Sequence, residues 1–164
     1  MTNKWKYDLE YLSYVGDLLA TEEVQKLAEF TQHFHSTRLD HSISVSYYSY
    51  KITKKFGWNA KATARAGVLH DLFFYDWRTT KFDEGTHAYM HPRIAVKNAE
   101  KITELSDLEK DIIIKHMWGA TIAPPRYKDG YVVTMVDKYC AVKEALFPLI
   151  QKLKLRTRRR SVSA

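Results

Sequence analysis

One cysteine, Cys140, stands in the 164 residues, which rules out an internal disulfide and a cysteine-based zinc knuckle and fits a reducing cytoplasm. Long apolar runs are also missing. Stretches such as Tyr131-Val132-Val133 are far too short to span a bilayer. No charged stretch followed by an apolar h-region opens the chain, which predicts no signal peptide and a cytoplasmic protein. Alternating strand patterns are scarce, and no internal repeat or obvious interdomain linker is present. Acidic residues are absent from 148–164, where Lys152, Lys154, Arg156, Arg158, Arg159 and Arg160 supply six of the net +7 charges. The rest of the chain is about neutral, so the body does not read as a nucleic-acid binder. The tail reads as a solvated, partly disordered end, or as a weak contact for nucleic-acid phosphates or anionic lipid.

What remains is apolar and helical. Hydrophobic residues make up 45% and aromatics 13%, enough for a single domain with its own core and too much for a disordered chain. Thr21 is placed to cap a helix carrying Val24, Leu27, Ala28 and Phe30. A second helix is predicted from about Asp40 to Phe56, with His41, Val45, Tyr48, Ile52 and Phe56 along one face and Gly57 in the C′ position. Asn59 can cap the alanine-rich helix that leads to His70. Residues 74–87 read as a long loop. His91-Pro92 is read as a helix start, because proline is favoured in the first turn. Ser106-Asp107-Leu108-Glu109 is a capping box. Gly119 and Pro124-Pro125 break the chain before a last helix from about Lys128 to Phe147. The fold class predicted is all-α, as one helical bundle.

The pair His70-Asp71 carries most of the functional signal, through the residues around it. His41 precedes it, and His91, His116 and Asp137 follow. The gaps are 29 residues from 41 to 70, then 20 from 71 to 91, 25 from 91 to 116 and 21 from 116 to 137. Gaps of that size suit one ligand site per helix, with helices converging on a point. Imidazole and carboxylate together suit Mn, Fe, Co, Ni, Zn or Mg, as one or two ions. On a regular helix the His70 and Asp71 side chains diverge by about 100°, so both reach one ion only where the helix unwinds. Asp137 lies beside apolar Val133, Cys140 and Ala141, where a carboxylate needs a cation or donors. That partner is either a metal or an ion pair with Arg65 or Lys115. His41, in a first helical turn, is kept neutral by the positive dipole end. His33 and His35 read as surface or helix-end residues.

These residues resemble the HD-domain superfamily of metal-dependent phosphohydrolases. The matching pieces are Arg38-Leu39-Asp40-His41, Val68-Leu69-His70-Asp71, His91-Pro92, Lys115-His116-Met117 and Val136-Asp137-Lys138. More narrowly, His70 to Trp77, His91 to Glu100 and Asp137 to Cys140 are similar to a group of small bacterial predicted HD hydrolases. The resemblance spans about residues 35–145. It implies N-terminal helices over 1–34, an HD domain over 35–147 and a basic tail over 148–164. It further implies that His41, His70, Asp71 and Asp137 hold one ion, with His91 and His116 adding a second and Asp71 bridging. Met117 stands where the cyclic-dinucleotide branch has a second histidine, and that branch's Gly-Tyr-Pro signature is absent.

The activity implied is hydrolysis of a small phosphomonoester or nucleotide, with a metal-activated water. Arg38, Lys115 and Lys138 are candidates to neutralise phosphate charge. Asp76 and His87 are candidates to relay a proton to the leaving group. Phe74, Tyr75, Trp77, Tyr89 and Trp118 are candidates to wall a base-stacking pocket, or else core. Two other readings follow from the same residues. One is a di-iron oxygenase of HD type; the other is a non-catalytic module that binds a nucleotide. Partners beyond the substrate are limited to weak nucleic-acid contact through the tail, with an oligomer left open.

Overall fold

The computed structural model describes residues 3–33 and 36–162, with side chains described through Pro148 except that of His33. Seven α-helices and one two-stranded hairpin are formed among the described residues, an all-α bundle. The helices are α1 (Leu9–Leu19), α2 (Glu22–Lys26), α3 (Arg38–Lys55), α4 (Ala60–Leu69), α5 (His87–Ala99), α6 (Asp107–Lys115) and α7 (Lys128–Val162). Between α2 and α3, β1 (Thr31–His33) pairs antiparallel with β2 (Ser36–Thr37). Of these residues, none forms a helix long and apolar enough to cross a membrane.

Helix starts follow local chemistry. Asp8 caps α1 and Asn59 caps α4, each accepting from a backbone N–H three residues on. Ser106 and Glu109 close a reciprocal capping box on α6, as Thr37 and Asp40 do on α3. That second box starts α3 at Arg38, two residues before the expected Asp40.

Helix α4 is central and buried on nearly every side, which its alanines and Gly67 allow. A Cβ on Gly67 would lie 2.5 Å from the Ser46 Cα, so glycine lets α3 and α4 approach backbone to backbone. Tyr11 donates to Ser46 Oγ at 2.8 Å and Ser46 donates to the Ala64 carbonyl at 2.6 Å, joining α1, α3 and α4. Around them pack Val15, Leu18, Val45, Val68, Leu69, Ile112, Ile113 and Val133.

Three expectations are corrected. The inward face of α3 keeps His41 and Val45 but continues through Ser49, Tyr50 and Thr53. Ile52 and Phe56 are exposed instead. The serine-rich side is the one narrow enough to meet α4. Helix α5 begins at His87, a turn before His91, and Pro92 lies inside it. Helix α7 does not end near Phe147; it runs on through Pro148 to Val162, so the basic segment shares its helix. The side chains of that segment, and His35, lie outside the described residues.

Candidate metal centre

Five helices deliver six side chains to one buried point. His41 is in the first turn of α3; His70 is the C-cap of α4, and Asp71 follows in the turn where that helix has ended. His91 lies in the second turn of α5, His116 is the C-cap of α6, and Asp137 sits in the part of α7 that lies on the body. Unwinding after Leu69 lets the adjacent His70 and Asp71 face the same space. All four histidines and Asp71 are at most 4% exposed. Ligand atoms converge in three overlapping groups, each with its atoms within 4.8 Å of one another: His41, His70 and Asp71; His70, His116 and Asp137; and Asp71, His91 and His116. Asp71 stands between the two ends. Its Oδ2 is 3.6 Å from His70 Nε2, and its Oδ1 is 3.2 Å from His91 Nε2 and 3.7 Å from His116 Nε2.

Each ring is aimed from its outer nitrogen. Nδ1–H donates to the Gly67 carbonyl from His70 at 2.8 Å, to His87 from His91 at 2.9 Å and to Ile113 from His116 at 2.7 Å. A carbonyl can only accept, so Nδ1 carries the proton and a neutral ring presents its Nε2 lone pair to the centre. His41 is aimed by Glu144, whose carboxylate lies 3.2 Å from Nδ1, while Nε2 is 2.9 Å from Asp137. This is how metal-binding imidazoles are oriented, through their far nitrogen.

The donor set fits a divalent ion. His70 Nε2 is buried with no hydrogen-bond partner among the described residues. His91 Nε2 and His116 Nε2 face each other at 2.9 Å, an acceptor against an acceptor when both rings are neutral. Such orphaned acceptors cost roughly 1–3 kcal/mol each unless something positive sits among them. Titration behaviour points the same way. Burial opposes ionisation of Asp71, but the imidazoles of His70, His91 and His116 outweigh it and hold its pKa well below the ordinary range. Asp137 is likewise lowered, with burial overcome by its hydrogen bond with His41 and by the nearby His70 imidazole. His41 is not kept neutral by the helix dipole as expected: burial disfavours its charge, yet its bonds with Asp137 and Glu144 outweigh both and raise it to about 10. Burial, with His91 and His70 alongside, pushes His116 down to about 3.

The remaining candidates are placed differently. Arg38 is buried and its donors are taken: Nε to Gln32 Oε1 at 3.1 Å, Nη1 to the Phe73 carbonyl at 2.5 Å and Nη2 to the Tyr75 carbonyl at 3.3 Å. Its guanidinium also lies 3.6 Å from the Phe73 ring centroid. Its bonds to the Phe73 and Tyr75 carbonyls fix the chain where it leaves Asp71. Asp76 is exposed and caps a turn by accepting from the Arg78 N–H. Lys138 donates to the Trp118 carbonyl at 2.8 Å. Lys115 ends α6 and, like Arg65, makes no ion pair with Asp137 among the described residues; Arg65 pairs with Asp17 and Glu109.

His87 is closest to the centre of this second group. It stacks on His91 with centroids 4.4 Å apart, lies against Trp77, and has Nδ1 3.2 Å from the Tyr75 hydroxyl. Burial, followed by repulsion from His91, lowers it to about 4. Tyr75 and Trp77 therefore border the centre through His87. Phe74 packs on Phe30, Trp118 on Tyr131, and Tyr89 under the Arg93 guanidinium.

Two participants escape sequence reasoning. Glu144 lies seven residues beyond Asp137, two turns along the same face, and also accepts from Ser36 Oγ at 2.7 Å. That spacing was available as a signal. Gln32 donates to Asp71 Oδ2 at 2.8 Å and accepts from Arg38, a role set by a hairpin with no alternating pattern to announce it. No protein-family model matches this chain, and no curated protein matches it.

Proposed function

We propose that the protein is a metal-dependent phosphohydrolase of HD type, acting on a small phosphomonoester or nucleotide. The observation that supports it most is the convergence of four imidazoles, each held at Nδ1, on two ionised carboxylates with Asp71 between the two ends. One or two divalent ions, when bound, supply Lewis acidity toward a phosphoryl oxygen and lower the pKa of a water. His41, His70, Asp71 and Asp137 would hold the first, and Asp71, His91 and His116 the second. Four imidazoles in the set favour Mn, Fe, Co, Ni or Zn over Mg.

The chain's own groups do the rest. Gln32 holds Asp71 in one orientation, with Arg38 behind it as a fixed cation. Asp137 is the ligand with most access to solvent, 15% exposed, so substrate reaches the centre from its side. His87 accepts at Nδ1 from the Tyr75 hydroxyl, whose own pKa burial raises to about 12. A neutral His87 then carries its proton on Nε2, where it would offer a hydrogen bond to a leaving oxygen rather than transfer the proton. Lys115 and Lys138 remain the available cations for substrate phosphate, and Trp77 and Tyr75 the available stacking surfaces. The lone Cys140, buried and uninvolved, suits a cytoplasmic setting.

The test is turnover. Protein loaded with Mn, Co or Ni is assayed on a panel of nucleotides and phosphoesters beside Asp71→Ala. Absence of any hydrolysis above that control rejects the proposal. A second reading, a di-iron oxygenase, is favoured by the same six-ligand set having nitrogen in the majority. Iron as purified, with oxygen-dependent turnover, selects it; protein purified with Zn or Mn and inert to oxygen removes it.

A further inference from the structure

Helix α7 has two apolar faces, and only one is used by the fold. Val133, Val136 and Cys140 are buried against the body. On another side Met135, Tyr139, Val142 and Leu146 are 60%, 58%, 59% and 46% exposed. Their steps of four, three and four residues place them within roughly 60° of one another around the axis. Tyr131, Ile52 and Trp58 extend the stripe as a shallow apolar groove toward α3. Together this is on the order of several hundred Å² of contiguous apolar surface, at the upper end for a surface with no partner.

Charge decides what it fits. Lys138 and Lys143 lie roughly 70° to either side of the stripe. The acidic residues of α7, Asp129, Asp137 and Glu144, are all turned into the body and bonded there. The outer face therefore carries cations alone. Beyond it the same helix continues to Val162 through a sequence with six more cations and no acid. A second copy of the chain would set lysine rim against lysine rim. An anionic lipid surface meets both the stripe and its borders, with apolar side chains at the acyl boundary and lysine heads among phosphates. Tyr131 and Tyr139 have the apolar body and polar tip that such interfaces favour.

We propose that the outward face of α7 docks the protein peripherally on anionic membrane, the apolar stripe lying in the interface plane. The test uses the full chain and vesicles of phosphatidylcholine with or without phosphatidylglycerol. Co-sedimentation is expected with the mixed vesicles only and is expected to weaken with salt. The double variant Met135→Ser/Val142→Ser should lower the partition coefficient roughly tenfold or more, since binding scales with buried apolar area. Met135→Glu/Val142→Glu should abolish it. Thermal melting and metal content should match wild type in both, which shows the fold intact.

Three outcomes overturn the proposal. Wild type fails to bind mixed vesicles, or the serine variant binds as wild type does, leaving tail charge alone responsible. In the third, sedimentation velocity shows a dimer that both variants dissociate while vesicles are ignored, assigning the stripe to a second copy.

Discussion

The Nε2 atoms of His91 and His116 lie 2.9 Å apart in a buried space where each ring has already spent its Nδ1–H on a backbone carbonyl. Neither ring can turn to relieve the contact without breaking its own bond. A cation relieves it for both. Adding Mn or Co to chelator-stripped protein should therefore raise the melting temperature. The gain is about 2.7 kcal/mol of stability when free ion reaches about 100 times its Kd. Differential scanning fluorimetry across an ion titration measures it, and His91→Ala should reduce the gain.

His41 makes ion uptake pH-dependent. With Asp137 and Glu144 around it, the ring holds a second proton up to about pH 10 in the metal-free protein. A divalent ion at Nε2 must displace that proton. Calorimetric titration at pH 7 in buffers of different ionisation enthalpy should show about one proton released per first ion bound. Apparent affinity should fall as pH is lowered. A signal independent of buffer would contradict this role for His41.

Metal-free stability should peak near neutrality. His116 has its folded pKa depressed to about 3 by burial and its neighbours, against about 6.5 in the unfolded chain. Between those values the unfolded state binds more protons, so stability falls as pH drops from about 6.5 toward 3. His41 has the opposite sign: its raised pKa lends stability that is present below about 6.5 and lost as pH rises toward 10. Urea denaturation of stripped protein across pH should show both arms, and His116→Gln should flatten the acidic one.

Glu144 would act on a bound ion through His41, whose Nδ1 it faces. Glu144→Gln should weaken the first ion about 10- to 100-fold, the usual effect of losing an orienting partner. Ser36→Ala should have a smaller effect in the same direction. Cobalt titrated by its visible absorption gives both the affinity and the coordination change. Equal affinity in Glu144→Gln and wild type would remove this role.

Arg38 separates two readings in one substitution. With its donors on Gln32, Phe73 and Tyr75, Arg38→Lys should destabilise the protein by about 2–3 kcal/mol, since lysine cannot span three acceptors. Urea melts measure it. A variant as stable as wild type but raised in KM for a phosphoester would return Arg38 to substrate binding.

Much of this arrangement is legible in the sequence. Asn59 and Ser106 announce their helices because capping is local chemistry, and His70-Asp71 marks an unwound helix end because two adjacent ligands require one. What was hidden is tertiary. Thr37 and Asp40 form a capping box of the same kind as that of Ser106, although the apolar pattern of α3 begins only at His41. Pro92 suggested a helix start because proline suits a first turn, yet the preceding turn is held by backbone bonds to Thr86. Ser42, Ser46 and Ser49 look polar and outward by composition; they are inward because Gly67 draws α4 against them. Gln32 and Glu144 acquire their roles only when distant segments meet.

The anchors of the four rings differ in their reach along the chain. His70, His91 and His116 each bond a carbonyl three or four residues back in the chain. Their rings are aimed as soon as a single turn of helix has formed, so little orientational freedom remains to be lost when the segments come together. His41 Nδ1 instead faces Glu144, 103 residues away along the chain. Three rings are thus oriented within their own segments, and the fourth by a carboxylate of α7, the helix that also brings Asp137 to the centre.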